Sequence, residues 1–395
     1  MNLDAWPGDR SGHHAHVPRD DEVTGSNVTG VADGEWVLHV DLDQFLVAVE
    51  RLRRPELVGL PVIVGGAGDP TRPRQVVATA SYEARAFGVR SGMPLRTAAR
   101  KCPDAVFLPS DRPAYEEASA RVMATLRTFP VVVEVWGWDE AFLGARTDDP
   151  EALAREVQAR VLAETSLSCS VGIGQTRLQA KTATGFAKPG GIATLTWRTW
   201  IPTMGSKPVD ELWGIGKRTA ERLAEAGITT VYELATADEH ELARRFGPTI
   251  GPYLKVLGMG GYVTPLVDEP HVARSRSREE TFERDLRDPA EMADHVERLA
   301  REVTESVVSE GRRVTHVSVK VRTASFFTRT KIRKLPAPST DADEIAATAR
   351  AVLAQFDLDR PVRLLGVRLV LEPPDATASP AEPTSDGSTD ADTGG

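Results

Sequence analysis

Two short apolar runs in the first half of the chain lead into carboxylates, and this pattern constrains the fold more than any other. The run Trp36-Val-Leu-His-Val ends at Asp41, and the run at 131–136 is followed closely by Asp139 and Glu140. Short apolar runs of this kind are typical of buried strands. A carboxylate at the end of a buried strand is costly unless it is paired or ligates a metal. The pattern predicts a sheet with acidic groups at one edge.

The same acids have a simpler interpretation. Aspartate is favoured at helix N-caps. For Asp43 this interpretation is stronger than a metal site, whereas for Asp41 the two interpretations are equally good. Asp139 and Glu140 could form a solvated turn, and on an ideal strand adjacent side chains point to opposite faces. Gly137 could supply a bend that lets both converge. If the acids of two strands do meet, they form a plausible two-metal site for phosphoryl transfer.

The rest of the first half predicts α/β alternation around one sheet. Further strands are expected at 76–80 and 168–173, with helices at 81–87, 150–165 and 177–186. From about residue 204 short helices follow, and two prolines in 263–270 indicate a linker. Strands dominate 271–372, with helical pieces near 289–309 and 341–355. The expected class is a multidomain α+β protein.

The net charge of −9 at first argues against a nucleic-acid partner. Residues 1–33 hold six acids against two bases, and 373–395 hold five acids and no base, so these tails carry the whole charge. Both are rich in small and polar residues, and we predict disorder for 1–34 and 373–395. Two cysteines exclude a disulfide scaffold. Without a long apolar run or signal peptide, we expect a cytoplasmic protein with no membrane partner.

Three other groups of residues suit phosphate. Tyr82 and Arg85 share one helix face, and Lys188 precedes Pro-Gly-Gly. The turn Gly214-Ile-Gly216-Lys217 opens a helix and presents free N–H groups to an anion. Ordinary surface bases and an ordinary helical turn explain these residues about as well.

The third group consists of basic rows, in which a basic residue recurs at every second position. Residues 312–334 hold eight bases and no acid. Lys320 and Arg322 share one strand face, and Arg329, Lys331 and Arg333 share another such row, as do Arg274, Arg276 and Arg278. Solvated strand faces usually mix signs, so these rows favour a surface that follows a phosphate backbone.

Taken together, these residues resemble the Y-family DNA polymerases, in their DNA polymerase IV (DinB) branch. The resemblance covers about 36–371. It rests on HVDLDQFLVAVE (39–50), VVATASYEARAFGVRSGMP (76–94), WDEAFL (138–143), SVGIGQTRLQAKTATGFAKPGGI (170–192), LWGIGKRTAERL (212–223), RSRSREETF (274–282) and RPVRLLGVRL (360–369).

The resemblance implies a right-hand polymerase with an α/β palm, small fingers, a helix-hairpin-helix thumb and an α/β little finger. The implied bounds are 35–44 and 106–201 for the palm, 45–105 for the fingers, 202–262 for the thumb and 271–372 for the little finger. It also implies a translesion enzyme of low fidelity and processivity, a mutator in repair of DNA damage, with no proofreading. The implied partners are primer–template DNA and deoxyribonucleotides, and the implied state is a monomer. The C-terminal tail lacks the family's clamp-binding peptide, so we do not expect sliding-clamp binding.

The resemblance also assigns roles to residues. Asp41, Asp139 and Glu140 match the catalytic carboxylates, which with the Leu42 carbonyl would hold two Mg²⁺ ions or, in their place, Mn²⁺. Phe45, Leu46, Thr79, Tyr82, Arg85 and Lys188 match the nucleotide site. Gly214, Gly216 and Lys217 match the thumb's DNA contacts, and the basic rows match those of the little finger. An inactive DNA-bound scaffold is the alternative, but all three carboxylates are present.

Leu46 departs from the usual family pattern. The family commonly has Phe or Tyr here as a steric gate, whose rigid ring under C2′ of the sugar excludes a 2′-hydroxyl. Leucine is smaller, so this clash should weaken. The chain resembles the family's leucine-gated subgroup, and we expect it to accept ribonucleotides too. The alternative is that Phe45 or another residue replaces the gate.

Overall fold

The computed structural model describes residues 34–269 and 272–373, together with the backbone of a short strand, β1 (Leu3–Asp4). The predicted disordered tails lie outside the described residues, apart from the backbone of β1, Gly34 and Pro373. The chain divides into two compact units near residue 270. None of the helices in the described ranges is both long and apolar enough to cross a membrane.

The first unit is built on a five-stranded sheet with the order β6-β7-β2-β8-β9. Its strands are β2 (Glu35–Leu42), β6 (Val132–Val135), β7 (Glu140–Arg146), β8 (Cys169–Gly174) and β9 (Ile192–Thr194). The strands pair antiparallel except β8 and β9, which are parallel. Helices of this unit are α4 (Arg112–Leu126), α5 (Pro150–Thr165) and α6 (Arg177–Ala187). The predicted strands at 36–41, 131–136 and 168–173 are confirmed within two residues.

The prediction of a single sheet is wrong. Only Thr79–Ala80 of the segment 76–80 forms a strand, and it belongs to a separate three-stranded sheet with the order β4-β3-β5. These strands are β3 (Val62–Val64), β4 (Thr79–Ala80) and β5 (Val106–Leu108), and the helices beside them are α1 (Phe45–Arg53), α2 (Tyr82–Ala86) and α3 (Leu95–Lys101). Strands this short carry no alternation from which sheet membership can be inferred.

The predicted run of short helices is confirmed. It consists of α7 (Trp197–Met204), α8 (Lys217–Ala224), α9 (Val231–Thr236), α10 (Glu239–Phe246) and α11 (Ile250–Gly258). Trp200 is buried and donates from its indole Nε1 to the Gly258 carbonyl over 2.8 Å. It therefore links the first and last of these helices.

Part of the predicted linker is fastened to the first unit. Arg177 donates to the carbonyls of Thr264 (3.2 Å) and Pro265 (2.8 Å), and the N–H of Val267 donates to Glu134 Oε2 over 2.9 Å. Glu134 and Arg177 also form a half-buried ion pair of 2.6 Å. Residues 264–267 therefore lie against the sheet rather than free in solvent.

Replacing Glu134 by glutamine should loosen this attachment. Burial alone would raise the pKa of Glu134, but Arg177 and the indole of Trp136 lower it below the usual value. A carboxyl group whose pKa is lowered by folding stabilises the fold at pH values above its pKa in the unfolded chain. This stabilisation is lost as the pH falls through its pKa in the folded protein. We expect Glu134→Gln to cost about 1–3 kcal/mol at pH 7, shrinking in acid. Thermal unfolding and hydrogen exchange at 264–267 measure this effect.

The matched control is Glu156→Gln. Glu156 pairs with Arg160 at 2.7 Å, but both side chains are exposed. Such a pair contributes little, so a change below about 0.5 kcal/mol is expected. An equal loss in both variants would contradict the anchoring role of Glu134.

The second unit places two helices on one face of an antiparallel sheet. Its strands are β10 (Ser275–Leu286), β11 (Val314–Thr323), β12 (Thr328–Ser339) and β13 (Val362–Leu371), in the order β10-β13-β11-β12. The helices are α12 (Pro289–Ser309) and α13 (Ala342–Leu353), as predicted. Val317, Val319 and Val321 of β11 are buried in one core with residues of both helices. Their neighbours on β11 therefore lie on the other, open face of the sheet.

Candidate active site

The three predicted carboxylates meet at one edge of the five-stranded sheet. Asp41 lies next to the end of β2, directly opposite Glu140 at the start of β7. Asp139 lies in the turn before β7, and its carbonyl accepts the N–H of Leu42 over 2.8 Å. The prediction that Asp139 and Glu140 end a strand is wrong, because Glu140 begins the next strand and Asp139 lies in the turn before it. The register of an antiparallel hairpin brings the acids together. The predicted role of the Leu42 carbonyl stays a prediction.

The carboxylates differ in their electrostatic surroundings. Burial, aided by the negative charges of Asp41 and Glu140, raises the pKa of Asp139 to about 6. Burial also acts to raise the pKa of Glu140, but hydrogen bonding to His39 and the charge of Lys181 lower it to about 2. The negative charges of Asp41 and Glu140 therefore disfavour a further negative charge on Asp139.

Two lysines, one within α6 and one directly after its C-terminal end, lie against the carboxylates. Lys188 Nζ donates to Asp41 Oδ1 over 2.5 Å, and Lys181 Nζ donates to Glu140 Oε2. Since each ammonium group sits on a carboxylate oxygen, the site is built to hold positive charge. The prediction placed Lys188 here but missed Lys181. Lys181 and Thr184 are three residues apart and share one face of α6, and this spacing could have revealed the lysine.

His39 is buried next to the carboxylates, and the sequence analysis did not identify it either. Its Nε2 lies 3.3 Å from Glu140 Oε2, and its Nδ1 lies 2.9 Å from Thr184 Oγ1. Burial lowers the pKa of His39, so the ring is neutral. His39 shares a strand face with Asp41, two residues later, which was the available signal.

A close helix–strand contact fixes the position of α6. A Cβ on Gly172 of β8 would come within 2.0 Å of the Ala180 carbonyl and 2.3 Å of the Thr184 N. Glycine is required here because the helix backbone rests directly on the strand. This contact sets where Lys181 and Thr184 stand relative to the carboxylates.

These residues fit a divalent cation. Ligand atoms of His39, Asp41 and Glu140 lie within 4.8 Å of one another. Carboxylate oxygens are the ligands that hard divalent cations prefer, and the lysine contacts show that the oxygens can be reached by a cation. The carboxylate edge therefore meets the requirements of a metal site on this chain's own geometry.

Asp43 is buried and serves as a hydrogen-bond acceptor for several parts of the chain. The prediction that it caps a helix is wrong. Helix α1 begins at Phe45 after Gln44, which has φ 44° and makes no side-chain cap. Asp43 is 4% exposed. Its carboxylate accepts four hydrogen bonds, from Tyr82 Oη (3.0 Å), Ser170 Oγ (2.8 Å), Ser168 Oγ (2.7 Å) and the Gly190 N–H (2.9 Å). It thus ties β8, α2 and the loop after α6 together beside the site.

Asp43→Asn should destabilise the protein more than most isosteric changes. An amide offers one acceptor oxygen and would point its NH₂ group at donors that now meet a carboxylate oxygen. We expect a loss of about 2–3 kcal/mol, measured by urea unfolding. Asp104→Asn is the control, since Asp104 is exposed and should change stability by less than about 0.5 kcal/mol. A neutral result for Asp43→Asn would contradict its structural role.

The predicted phosphate-binding pair lies next to Asp43. Arg85 stands 5.4 Å from the ring centroid of Tyr82 and donates from Nε to the Ala80 carbonyl over 2.9 Å. Burial and the Asp43 charge raise the pKa of Tyr82, so its hydroxyl stays a hydrogen-bond donor. Thr79 lies in β4 just before them. The structure brings these three residues together, and their contact with a nucleotide stays a prediction.

Phe45 and Leu46 open helix α1 and both point into the core. Each side chain is 2% exposed, and the Phe45 ring meets the Tyr115 ring at 6.5 Å in an edge contact. Phe45 is therefore engaged in packing with Tyr115. The role of Leu46 in sugar selection stays a prediction.

The predicted glycine turn precedes helix α8. Gly214 has φ +99°, and Gly216 is the N-cap with open space around its Cα. Lys217 and Arg218 are exposed in the first turn. Glycine is needed at 214 for its positive φ, and the bare N-cap leaves backbone N–H groups open to an anion.

The basic rows of the second unit do not form one surface. Lys320 and Arg322 lie on the open face, whereas Arg329 pairs with the buried Val321 and so shares the helix-covered face with Lys331 and Arg333. Lys331 donates to the Gln355 carbonyl at the end of α13. Sequence spacing placed residues on a shared strand face but could not say which face the helices cover.

Several of these bases already have acidic partners. Arg276 pairs with Glu310 at 2.7 Å and Arg278 with Glu302 at 2.6 Å, both on the helix side. Lys320 contacts Glu279 on the open face. Arg368, which the prediction missed, joins Lys320 on that face through its pairing with Ser318. Arg274 is exposed directly before β10.

Three family models match the chain. The impB/mucB/samB family matches residues 40–185, and its C-terminal domain matches 273–373. A SAM-like helix-hairpin-helix tandem matches 207–250, which includes the glycine turn.

Curated relatives cover most of the chain. A protein named DNA polymerase IV 2 from Mycobacterium tuberculosis (strain H37Rv) is 57% identical over 339 residues, which are 85% of this chain and 98% of the relative. A DNA polymerase IV from Methanoculleus marisnigri is 40% identical over 342 residues, covering 84% and 93%.

Solved structures are similar as well. A Y-family DNA polymerase chimera of Dbh and Dpo4 superposes with a TM-score of 0.76 at 28% identity, covering 85% of this chain and 98% of the other. An insertion ternary complex of Dbh DNA polymerase gives 0.57 at 26% identity, with the same coverage.

Proposed function

The chain belongs to the Y-family DNA polymerases, in the impB/mucB/samB family, and from this premise we propose how its residues select and join nucleotides. It is a DNA-directed DNA polymerase of the translesion DNA polymerase IV type. Its fold has the family's catalytic domain, helix-hairpin-helix thumb and C-terminal little finger. We assign the palm, fingers, thumb and little finger to the bounds that the sequence implies. We further propose that it acts in the cytoplasm as a monomer.

The observation that carries the proposed mechanism is the meeting of three carboxylates with two lysines at one sheet edge. We assign Asp41, Asp139 and Glu140, with the Leu42 carbonyl, to hold two divalent cations, Mg²⁺ or Mn²⁺. When bound, such ions lower the pKa of the primer 3′-hydroxyl and neutralise the charge of the triphosphate. The strand register supports this assignment, because it sets Asp41 and Glu140 face to face.

The surrounding side chains suit the triphosphate. Lys188 now pairs with Asp41, and a cation there would release its ammonium group for phosphate oxygens. Tyr82 keeps its proton and donates, while Arg85 adds a planar fork beside it. We propose that Thr79, Tyr82, Arg85 and Lys188 bind and orient the nucleotide, whose α-phosphate the primer 3′-hydroxyl attacks with release of pyrophosphate.

Leu46 is proposed to relax sugar selection. It takes the usual position of the aromatic gate, and Phe45 is occupied by its contact with Tyr115. Leu46 fills less space than a ring, so a ribose 2′-hydroxyl meets a weaker clash. The enzyme should then use ribonucleotides as well as deoxyribonucleotides.

Two surfaces are proposed to hold the primer–template. The Gly214 to Lys217 turn offers backbone N–H groups and one ammonium group to a phosphate. The open face of the second unit offers Lys320, Arg322 and Arg368. Arg329 and Arg333 lie on the other face of the edge strand β12, and we propose that they contact DNA that passes this edge. We propose low processivity without a sliding clamp.

Primer extension by the full chain tests this function. We expect extension with Mg²⁺ or Mn²⁺, with both nucleotide types, and none in a chelator. DNA binding is measured in parallel. Binding without extension under every metal condition would refute the polymerase mechanism and favour a DNA-bound scaffold.

A further inference from the structure

The hairpin between β11 and β12 ends in a tip, residues 323–328, that presents two phenylalanines to solvent. The side chains of Phe326 and Phe327 are 63% and 52% exposed. The tip is hydrogen-bonded, with the Thr323 N–H donating to the Phe327 carbonyl and the Phe326 N–H to the Thr323 carbonyl, each over 2.9 Å. Phe326 has φ +63°, a left-handed conformation that costs a residue other than glycine about 1–2 kcal/mol. The tip is thus an ordered turn that holds both rings outward.

Each ring is accompanied by a guanidinium group. Arg363 lies 4.7 Å from the Phe326 centroid, and Arg329 lies 5.5 Å from the Phe327 centroid. These distances are within the range of a cation–π contact. The high exposure of the rings leaves aromatic surface available for a further contact.

The charge around the tip favours a polyanion. The segment 312–334 contains no acid. The loop 357–361 is joined to the tip by a hydrogen bond from the Ala324 N–H to the Pro361 carbonyl, and it contributes Asp357 and Asp359. Against these two acids stand four arginines of the tip and its neighbours: Arg322, Arg329, Arg360 and Arg363.

We propose that Phe326 and Phe327 stack on unpaired bases of the single-stranded template. Aromatic side chains stack on any base, with about 1–3 kcal/mol per base, and adjacent arginines neutralise the phosphates. Bases within a duplex are already stacked on each other, so the unpaired strand is the partner that the exposed ring surface fits. The inference rests on the proposed DNA polymerase function, because that function brings a single-stranded template to the protein.

Binding of the full chain to two DNA probes tests the proposal. One probe is a primer–template with a single-stranded template overhang, and the other is the same duplex with blunt ends. Phe326→Ala/Phe327→Ala should weaken binding of the overhang probe about tenfold and binding of the blunt probe less than about twofold. Phe326→Tyr/Phe327→Tyr keeps the rings and should bind like the unmodified chain.

Val308→Ala is the matched control, because Val308 is 47% exposed on α12, away from the open face of the sheet, and carries no ring. It should change neither affinity. A 2-aminopurine base placed along the overhang gives a direct readout, since stacking on a ring changes its fluorescence. That change should be lost in the double alanine variant and kept in the tyrosine variant.

An equal loss on both probes would overturn the proposal and assign the tip to the duplex. No loss on either probe would overturn it and leave a protein partner for the tip. Primer extension at saturating DNA separates this inference from the function itself. If only the stacking proposal is wrong, the unmodified chain still extends primers. If the proposed polymerase function is wrong, extension is absent, while the difference in affinity between the two probes can still be measured.

Discussion

Asp139→Asn should reduce primer extension about a thousandfold and, in a chelator, make the protein more stable. Asp139 lies beside Asp41 and Glu140, and burial together with their charges raises its pKa to about 6. The amide keeps the shape but supplies no negative charge to a divalent cation, which removes several kcal/mol of transition-state stabilisation. The same loss of charge relieves repulsion within the metal-free site.

The sign of the stability effect follows from the pKa. The folded value lies above the unfolded value of about 3.9, so the folded protein holds the proton more tightly. Stability from this group therefore falls as the pH rises from about 4 through 6. At pH 7 Asp139→Asn should gain on the order of 2 kcal/mol, and the gain should disappear in acid.

Thermal unfolding in a chelator at several pH values measures this gain, and single-nucleotide incorporation measures the activity. DNA affinity is determined in parallel and should not fall. Asp104→Asn removes a charge from an exposed position and should leave both stability and activity unchanged within experimental error. Near-normal extension by Asp139→Asn would contradict the catalytic assignment, and a loss of stability would contradict the electrostatic one.

The sequence located all three carboxylates but placed Asp139 and Glu140 on the wrong strand. The end of β2 at Asp41 and Leu42 could be predicted, because its apolar run is continuous. The turn after β6 is tight, and the N–H groups of Trp136 and Gly137 both donate to the Glu140 carbonyl, at 3.0 and 3.3 Å. The sequence indicates a possible bend at Gly137, but it does not show at which residue the hydrogen-bonded strand pairing begins again. The pairing of Asp41 with Glu140 is a property of register, which depends on the whole sheet.

The same limit explains the divided basic surface. A spacing of two assigns residues to a shared face, and it did so correctly for Lys320 with Arg322 and for Arg329 with Lys331. Whether the two rows face the same side depends on the loop between them. The hairpin pairs Arg322 with Thr328, so the row starting at Arg329 falls on the opposite face.

Leu46→Phe should make the polymerase reject ribonucleotides. The side chain of Leu46 is buried at the first turn of α1. If it contacts the sugar as proposed, a ring in its place would take the space that a 2′-hydroxyl needs. A misfit of this kind costs about 1–3 kcal/mol, so kcat/KM for ribonucleotides should fall about tenfold to a hundredfold. The value for deoxyribonucleotides should change far less, and the ratio of the two is the measured quantity.

The added ring also enters a packed core, and stability must be separated from selection. Overpacking there costs about 1–3 kcal/mol, which thermal unfolding records. Phe45→Leu is the matched control, because it alters the adjacent residue and removes the contact with Tyr115. It should lower stability while leaving the nucleotide ratio unchanged. If Phe45 were the gate instead, Phe45→Leu would change the ratio and Leu46→Phe would not. Strong rejection of ribonucleotides by the unmodified chain would refute the leucine gate, because Leu46 would then leave no room to spare for the 2′-hydroxyl.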